Sequence, residues 1–168
     1  MISLAEAVKL KSILNKKTQE LISEIRSVSH AIVEKGEEPK TPERTLQKID
    51  SELQDVRNDV RLLDRLIYEA NIQNTISFEG QQYTLVEAIE LAIQYRAQTS
   101  LYKELGTSDK EAFFHSSGET TFYRVALYEP NDYREKANEL EKLAHRLSNA
   151  INAKNYQVQI HFDDSKYF

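Results

Sequence analysis

The sequence predicts a mainly α-helical protein with two long antiparallel, coiled-coil-like helical hairpins and a small antiparallel β-sheet. Breakers are few, since the chain has 4 glycines and 3 prolines in 168 residues. Charged residues make up 29% of the chain, and apolar residues recur between them at the three-and-four spacing of helices. Two shorter runs are rich in β-branched and aromatic residues, which favours a few strands beside the helices.

The first helix is predicted from Ser3 to about Val33. Ser3 is a suitable N-cap, and Glu6 stands three residues later, where it completes a capping box. The helix must then stop, because Gly36 and two prolines follow within the segment 34–42. The apolar stripe of this helix contains Leu4, Ala7, Leu14, Leu21, Ile25, Val28 and Ile32.

The second helix carries the most regular apolar pattern in the chain. Thr41 is the expected N-cap, with Pro42 at the first helical position. The apolar residues occupy successive a and d positions of a heptad, which predicts a coiled-coil seam packed against the first helix. The seam residues are Leu46, Ile49, Leu53, Val56, Val60, Leu63, Ile67 and Ala70.

The second half of the chain mixes strands and helices. The run 75–78 alternates as a strand, and Glu79-Gly80-Gln81 forms a turn that opens the option of a hairpin. Thr84 should cap a third helix that ends near Gly106. The segment 112–129 is β-like, with a turn at Ser116-Ser117-Gly118; a fourth helix starts at 130–132, and 157–162 alternates as a final strand.

The two halves resemble each other, which predicts an internal duplication within a single elongated domain, 1–168. The repeats are 1–80 and 81–168, each a helix, a connection, a helix and a strand. The start Ser3–Leu10 matches Thr84–Leu91, and the late strands also correspond. From this correspondence we expect Ile76, Phe78, Ile160 and Phe162 to be buried in one common sheet beside 121–127.

Composition and motifs exclude several kinds of function. The net charge of -5 argues against nucleic-acid binding and against anionic membrane surfaces. The lack of cysteine excludes disulfides and thiolate metal sites, and the charged N-terminus lacks the pattern of a signal peptide. No phosphate loop, nucleophile elbow or histidine pair with metal-ligand spacing occurs. We therefore expect a cytoplasmic, non-catalytic protein with no cofactor, no metal and no membrane span.

An aromatic cluster is the one candidate for an interaction or ligand surface. Its members could line a ligand pocket or contact a protein partner. The competing interpretation is that they close the open end of the helical bundle. The cluster consists of Phe113, Phe114, Phe122, Tyr123, Tyr128 and Tyr133.

The order of several short motifs resembles the septicolysin-like family of small bacterial helical proteins. The family name implies a membrane-active cytolysin, and the resemblance supplies no catalytic or ligand residues. The motifs are Leu4-Ala5-Glu6-Ala7, Gly36-Glu37-Glu38-Pro39, Leu66-Ile67, Asn71, Asn74-Thr75, Gly80, Thr84-Leu85-Val86-Glu87-Ala88, Tyr123-Arg124-Val125 and Asn155-Tyr156.

The favoured function is a self-associating scaffold or protein-interaction module, with a homodimer expected. Apolar side chains off the seam need a surface beyond one partner helix, and these are Leu10, Ile22, Leu62 and Leu66. A small-ligand-binding protein or an enzyme that uses the aromatic region 113–133 is the first alternative. A membrane-active cytolysin is the second.

Overall fold

The computed structural model describes residues 1–167 and is mainly helical, as predicted. Four helices span most of this part of the chain: α1 (Leu4–Val28), α2 (Leu46–Gln73), α3 (Leu85–Thr107) and α4 (Pro130–Gln157). Six short strands accompany them: β1 (Ile2–Ser3), β2 (Thr75–Phe78), β3 (Gln81–Thr84), β4 (Glu111–Ser117), β5 (Thr120–Val125) and β6 (Gln159–Ile160). The expected N-cap of α3 at Thr84 and the start of α4 at Pro130 are confirmed, and the strand at 75–78 forms the hairpin that the sequence left as an option.

The chain forms two compact units that do not follow its two halves. One unit combines residues 1–74 with the C-terminal segment from Asn155, and the other is Thr75–Lys154. The C-terminal segment belongs with the N-terminus because β6 pairs with β1 and because the Leu4 amide donates to the Val158 carbonyl at 2.8 Å.

In the first unit, α1 and α2 lie antiparallel along a buried apolar seam. Ion pairs across the seam join Lys11 to Asp64 and Lys17 to Glu52. A later residue of α1 thus contacts an earlier residue of α2, as antiparallel helices require. The α2 residues that are buried include six of the predicted seam: Ile49, Leu53, Val56, Leu63, Ile67 and Ala70.

The predicted ends of α1 and α2 are wrong on the side of their connection. α1 stops at Val28 rather than Val33, and α2 is capped by Thr45 rather than Thr41. Ile32 is fully exposed, so further turns of α1 would bury nothing against α2. A helix of this charged composition depends on tertiary packing, and it ends where the packing ends.

The expected common sheet is also wrong. Three separate two-stranded antiparallel sheets form, which pair β1 with β6, β2 with β3, and β4 with β5. The backbone hydrogen bonds of β2 and β4 are made with the next strand in the chain. β3 follows β2 after a two-residue turn, and β5 follows β4 in the same way. The expected burial is nonetheless confirmed for Ile76, Phe78, Ile160 and Phe162.

In the second unit, α3 and α4 are also antiparallel. Lys103 bonds Glu141 at 2.7 Å, and Arg96 donates to the Ser148 hydroxyl at 2.8 Å. The helices approach closely at Gly106, where an added Cβ would lie 3.0 Å from the Arg134 Cα. Glycine therefore permits the approach, and the Arg134 guanidinium donates to the Gly106 carbonyl at 2.9 Å.

Candidate interaction surface

The β4–β5 hairpin is an isolated two-stranded ribbon in the second unit. Its two-residue turn contains Gly118 at φ 64, a left-handed conformation that favours glycine. The turn consists of Gly118 and Glu119 and thus begins one residue after Ser117, the centre of the predicted turn. A register shift between Phe113 and His115 marks a β-bulge at Phe114.

The register distributes aromatic side chains over both faces of this hairpin. Phe113 pairs with Tyr123, and their ring centroids are 6.4 Å apart in an edge-on arrangement. His115 pairs with Phe122 and stacks on its ring at 4.7 Å, while Phe114 meets the His115 ring edge-on at 4.9 Å. Since Phe122 and Tyr123 are consecutive in a strand, the two clusters lie on opposite faces.

Four of the six aromatic residues singled out from the sequence are largely exposed, and we call them the hairpin aromatics. The exposed fractions are Phe113 64%, Phe114 65%, Phe122 45% and Tyr123 55%. Every residue of β5 is exposed, and in β4 only Ala112 is partly buried. The described part of the chain therefore provides no cover for either face of the ribbon.

The other two predicted residues have a different setting. Tyr128 and Tyr133 are partly buried, and their rings meet edge-on at 5.3 Å. Tyr133 also contacts the Tyr102 ring of α3 at 5.2 Å, and the Tyr128 hydroxyl donates to the Leu105 carbonyl at 3.0 Å. These tyrosines pack the start of α4 against the end of α3, which matches the alternative interpretation of the aromatic cluster as a cap on the helices.

A second apolar surface, which was not predicted from the sequence, lies on α3. Residues Val86, Ile93, Ala97 and Leu101 lie on one side of this helix, and we call them the α3 stripe. The large members are half exposed: Val86 47%, Ile93 50% and Leu101 51%. The opposite side of α3 packs through Ala88, Ala92, Thr99 and Gly106. A helix with apolar residues on both sides was the available signal, because such a helix normally has more than one partner.

Structural hydrogen bonds and burial explain the titratable groups whose pKa values are displaced. Backbone and side-chain bonds from Ser3 lower the pKa of Glu6, and bonds from Thr84 lower that of Glu87. Lys103 lowers the pKa of Glu141. Burial, followed by the hydrogen bond to Asp59, raises the pKa of Tyr167. The pKa shifts of the three glutamates belong to two caps and an ion pair, and that of Tyr167 belongs to its packing beside Asp59.

Within residues 1–167, no three histidine or acidic side chains are grouped so that they could hold a metal ion. None of the described helices combines the length and apolarity that crossing a membrane requires.

The comparison with solved structures found a similar fold. The chain resembles a crystal structure described as a functionally unknown conserved protein from Corynebacterium diphtheriae, with a TM-score of 0.69 and 23% sequence identity. The match covers 95% of this chain and 99% of that chain, so the likeness of fold extends over almost all of both. No protein-family model matches the chain. No curated protein matches it either.

Proposed function

We propose that this protein is a non-catalytic, self-associating helical scaffold or interaction module that works as a homodimer in the cytoplasm. The single observation that carries the proposal is the β4–β5 hairpin, whose aromatic side chains are exposed on both faces. A lone two-stranded hairpin is marginally stable in water and normally depends on packing against another element. Large exposed apolar patches on a protein commonly mark sites of association.

The same geometry argues against a ligand pocket formed by the hairpin aromatics. A groove of about 510 Å³ lies at the base of the hairpin, lined by residues that include Asp109, Arg124, Leu127 and Tyr128. None of the four hairpin aromatics lines this groove. Small-molecule sites bury most of the ligand in a concave, largely apolar cavity, whereas these rings project from a ribbon. A protein partner therefore fits the arrangement better than a small molecule.

Light scattering and sedimentation of the purified protein test the proposal. We expect a dimer mass that dissociates on dilution. Replacing all four hairpin aromatics by serine should weaken the dimer at least tenfold while leaving circular dichroism unchanged, because these side chains support no core. A monomer at every concentration up to the millimolar range would contradict the proposal. If that monomer bound and permeabilised anionic liposomes, the membrane-active alternative would replace it.

We also infer that the chain arose by internal duplication of a coiled-coil-like helical hairpin. The strand registers support this inference. In the sequence correspondence, Ser3 matches Thr84 and Ile76 matches Ile160, so that Thr75 matches Gln159. The pairs Ser3–Gln159 and Thr84–Thr75 are then equivalent, and so are the pairs Ile2–Ile160 and Tyr83–Ile76. The strand before α1 thus pairs with the strand after α4, and the strand before α3 pairs with the strand after α2.

The capping boxes support the same inference. Ser3 with Glu6 and Thr84 with Glu87 both form the complete reciprocal pair of side-chain and backbone hydrogen bonds. Chance similarity between amphipathic helices would reproduce their apolar spacing but not matched caps together with matched strand registers. From the order of the short motifs along the chain, we also propose that it is related to the septicolysin-like family.

A further inference from the structure

The proposed self-association leaves open which surface receives the hairpin, and the exposed surfaces of the second unit suggest an answer. We propose that the β4–β5 hairpin of one copy packs on the α3 stripe of a second copy, and that the reverse contact forms at the same time. The inference rests on the proposed function and specifies the partner and both halves of its interface.

The two surfaces are similar in length. The α3 stripe runs from Val86 to Leu101, which is about 22 Å at 1.5 Å per residue. Strand β4 has 7 residues, and its ends are about 20 Å apart at the rise of an antiparallel strand. A two-stranded ribbon laid along the stripe would therefore cover most of it.

The two contacts expose enough apolar surface for an interface of standard size. In the cluster on the Phe122 face, Phe114 is 65% exposed and Phe122 is 45% exposed, which is roughly 220 Å² at about 200 Å² for each aromatic side chain. With the half-exposed Val86, Ile93 and Leu101 of the stripe, each copy contributes roughly 450 Å² of apolar surface. A standard interface buries about 800 Å² per partner, of which a little more than half is apolar. Two reciprocal contacts reach that apolar share, whereas one hairpin alone falls short of it.

The charges beside the two surfaces favour one face of the hairpin over the other. Arg124 lies on the same face of the hairpin as Phe122, since the two are separated by one residue in β5. Two exposed carboxylates, Glu90 and Glu104, accompany the α3 stripe. An arginine placed at the edge of an apolar contact with acidic neighbours favours this face of the hairpin over the one that carries Phe113 and Tyr123.

Symmetry gives the arrangement its closed form. In a twofold dimer, residue i of one copy contacts residue j of the other, and j contacts i in return. The hairpin and the stripe are different surfaces of one chain, so their reciprocal contact uses both surfaces on both copies and leaves neither free to extend a filament.

Mixing two variants tests this arrangement. The hairpin variant carries Phe114→Ser with Phe122→Ser, and the stripe variant carries Ile93→Ser with Leu101→Ser. Each alone should bind itself at least about tenfold more weakly than the parent, since each loses large side chains from both contacts. An equimolar mixture should recover much of the affinity, because the heterodimer contains one contact in which both surfaces are intact. A control with Phe113→Ser and Tyr123→Ser on the other face should keep the parent's affinity.

The outcomes separate this inference from the proposed function. A parent that stays monomeric at all concentrations overturns both. A dimeric parent whose stripe variant associates as tightly as the parent overturns the docking on α3 and leaves self-association standing. Two weakened variants that do not recover on mixing overturn the reciprocal contact, because an interface that packs hairpin on hairpin and stripe on stripe has that behaviour. Circular dichroism of each variant excludes unfolding, and the parent's melting temperature provides the reference.

Discussion

At the scale of single residues, two leucines of α2, Leu53 and Leu62, differ clearly in burial. Leu53 is 4% exposed and faces α1, whereas Leu62 on the same helix is 41% exposed. The heptad pattern already separates them, because Leu53 lies on the predicted seam and Leu62 lies off it. Their difference follows from position around the helix, because only one side of α2 can face α1.

The substitution Leu53→Asp should lower the free energy of unfolding by about 3–5 kcal/mol, because it places an unpaired charge in the seam. The matched change Leu62→Asp should cost less than about 1 kcal/mol, because its side chain already meets water. Chemical denaturation of the two variants and the parent gives both values. Equal losses would show that the seam does not lie where the structure places it.

A polar residue on the apolar stripe of α1 has a partner that only the fold supplies. Lys11 interrupts the spacing of the stripe and forms an ion pair with Asp64 of α2. The hydrogen bond to Asp64 is the main cause that raises the pKa of Lys11. Both side chains are about one-third exposed, so the pair contributes mainly to the antiparallel register of α1 and α2.

At the scale of elements, the capping boxes decide where α1 and α3 begin. The Thr84 hydroxyl accepts a hydrogen bond from the Glu87 amide at 3.3 Å, and the Thr84 amide donates to the Glu87 carboxylate at 2.8 Å. Ser3 and Glu6 repeat the arrangement with distances of 3.2 Å and 2.8 Å. The two helices therefore start by the same local mechanism.

Thr84→Ala and Ser3→Ala should each destabilise the fold by about 1 kcal/mol, the usual cost of losing an N-cap. Similar losses are expected because the two boxes have nearly the same geometry. Urea denaturation at neutral pH measures them, with Ser100→Ala on the exposed side of α3 as the control. A loss at one cap alone would contradict the equivalence of the two helix starts.

The same boxes give a pH dependence with a defined sign. Hydrogen bonds lower the pKa of Glu6 and Glu87 below the ordinary value of 4.5. A lowered pKa in the folded state stabilises the fold above the unfolded pKa, and this contribution disappears as the pH falls through the folded pKa. Glu87→Gln should therefore reduce the loss of stability between neutral pH and the acid range below 4.5. Melting temperatures measured across that range, with Glu139→Gln as an exposed control, test the sign.

At the scale of the whole molecule, the pairing of β1 with β6 brings the two ends of the chain together. Ile2 lies opposite Ile160, just as Tyr83 lies opposite Ile76 in the hairpin formed by β2 and β3. The second pair is joined by the turn Glu79-Gly80, and the first pair has no direct connection. In a duplicated fold, the chain should tolerate a new connection between β6 and β1 together with a break in the turn between β2 and β3.

A circular permutant tests that statement. Its original ends are joined by about six glycine and serine residues, and new ends are opened between Glu79 and Gly80. We expect the same helical content and a melting temperature within about 10 °C of the parent, because the strand pairs and cores are kept while loop closure changes little. A control opened inside α2, between Asp59 and Val60, should fail to fold. If the two permutants were equally unstable, the proposed equivalence of the strand pairs would be unsupported.

The sequence by itself determined the helical class, both capping boxes, strand β2 and the turn after it, the two runs that form β4 and β5, and the burial of Ile76, Phe78, Ile160 and Phe162. These features depend on local spacing, turn chemistry and side-chain polarity, which act over a few neighbouring residues. Only the tertiary structure decided that α1 ends at Val28, that β6 pairs with β1, and that Tyr128 and Tyr133 are packed while the other four aromatics are exposed. Those outcomes depend on which particular surfaces meet after the chain has folded, and an apolar period shows that a face is buried without identifying its partner or where the contact ends.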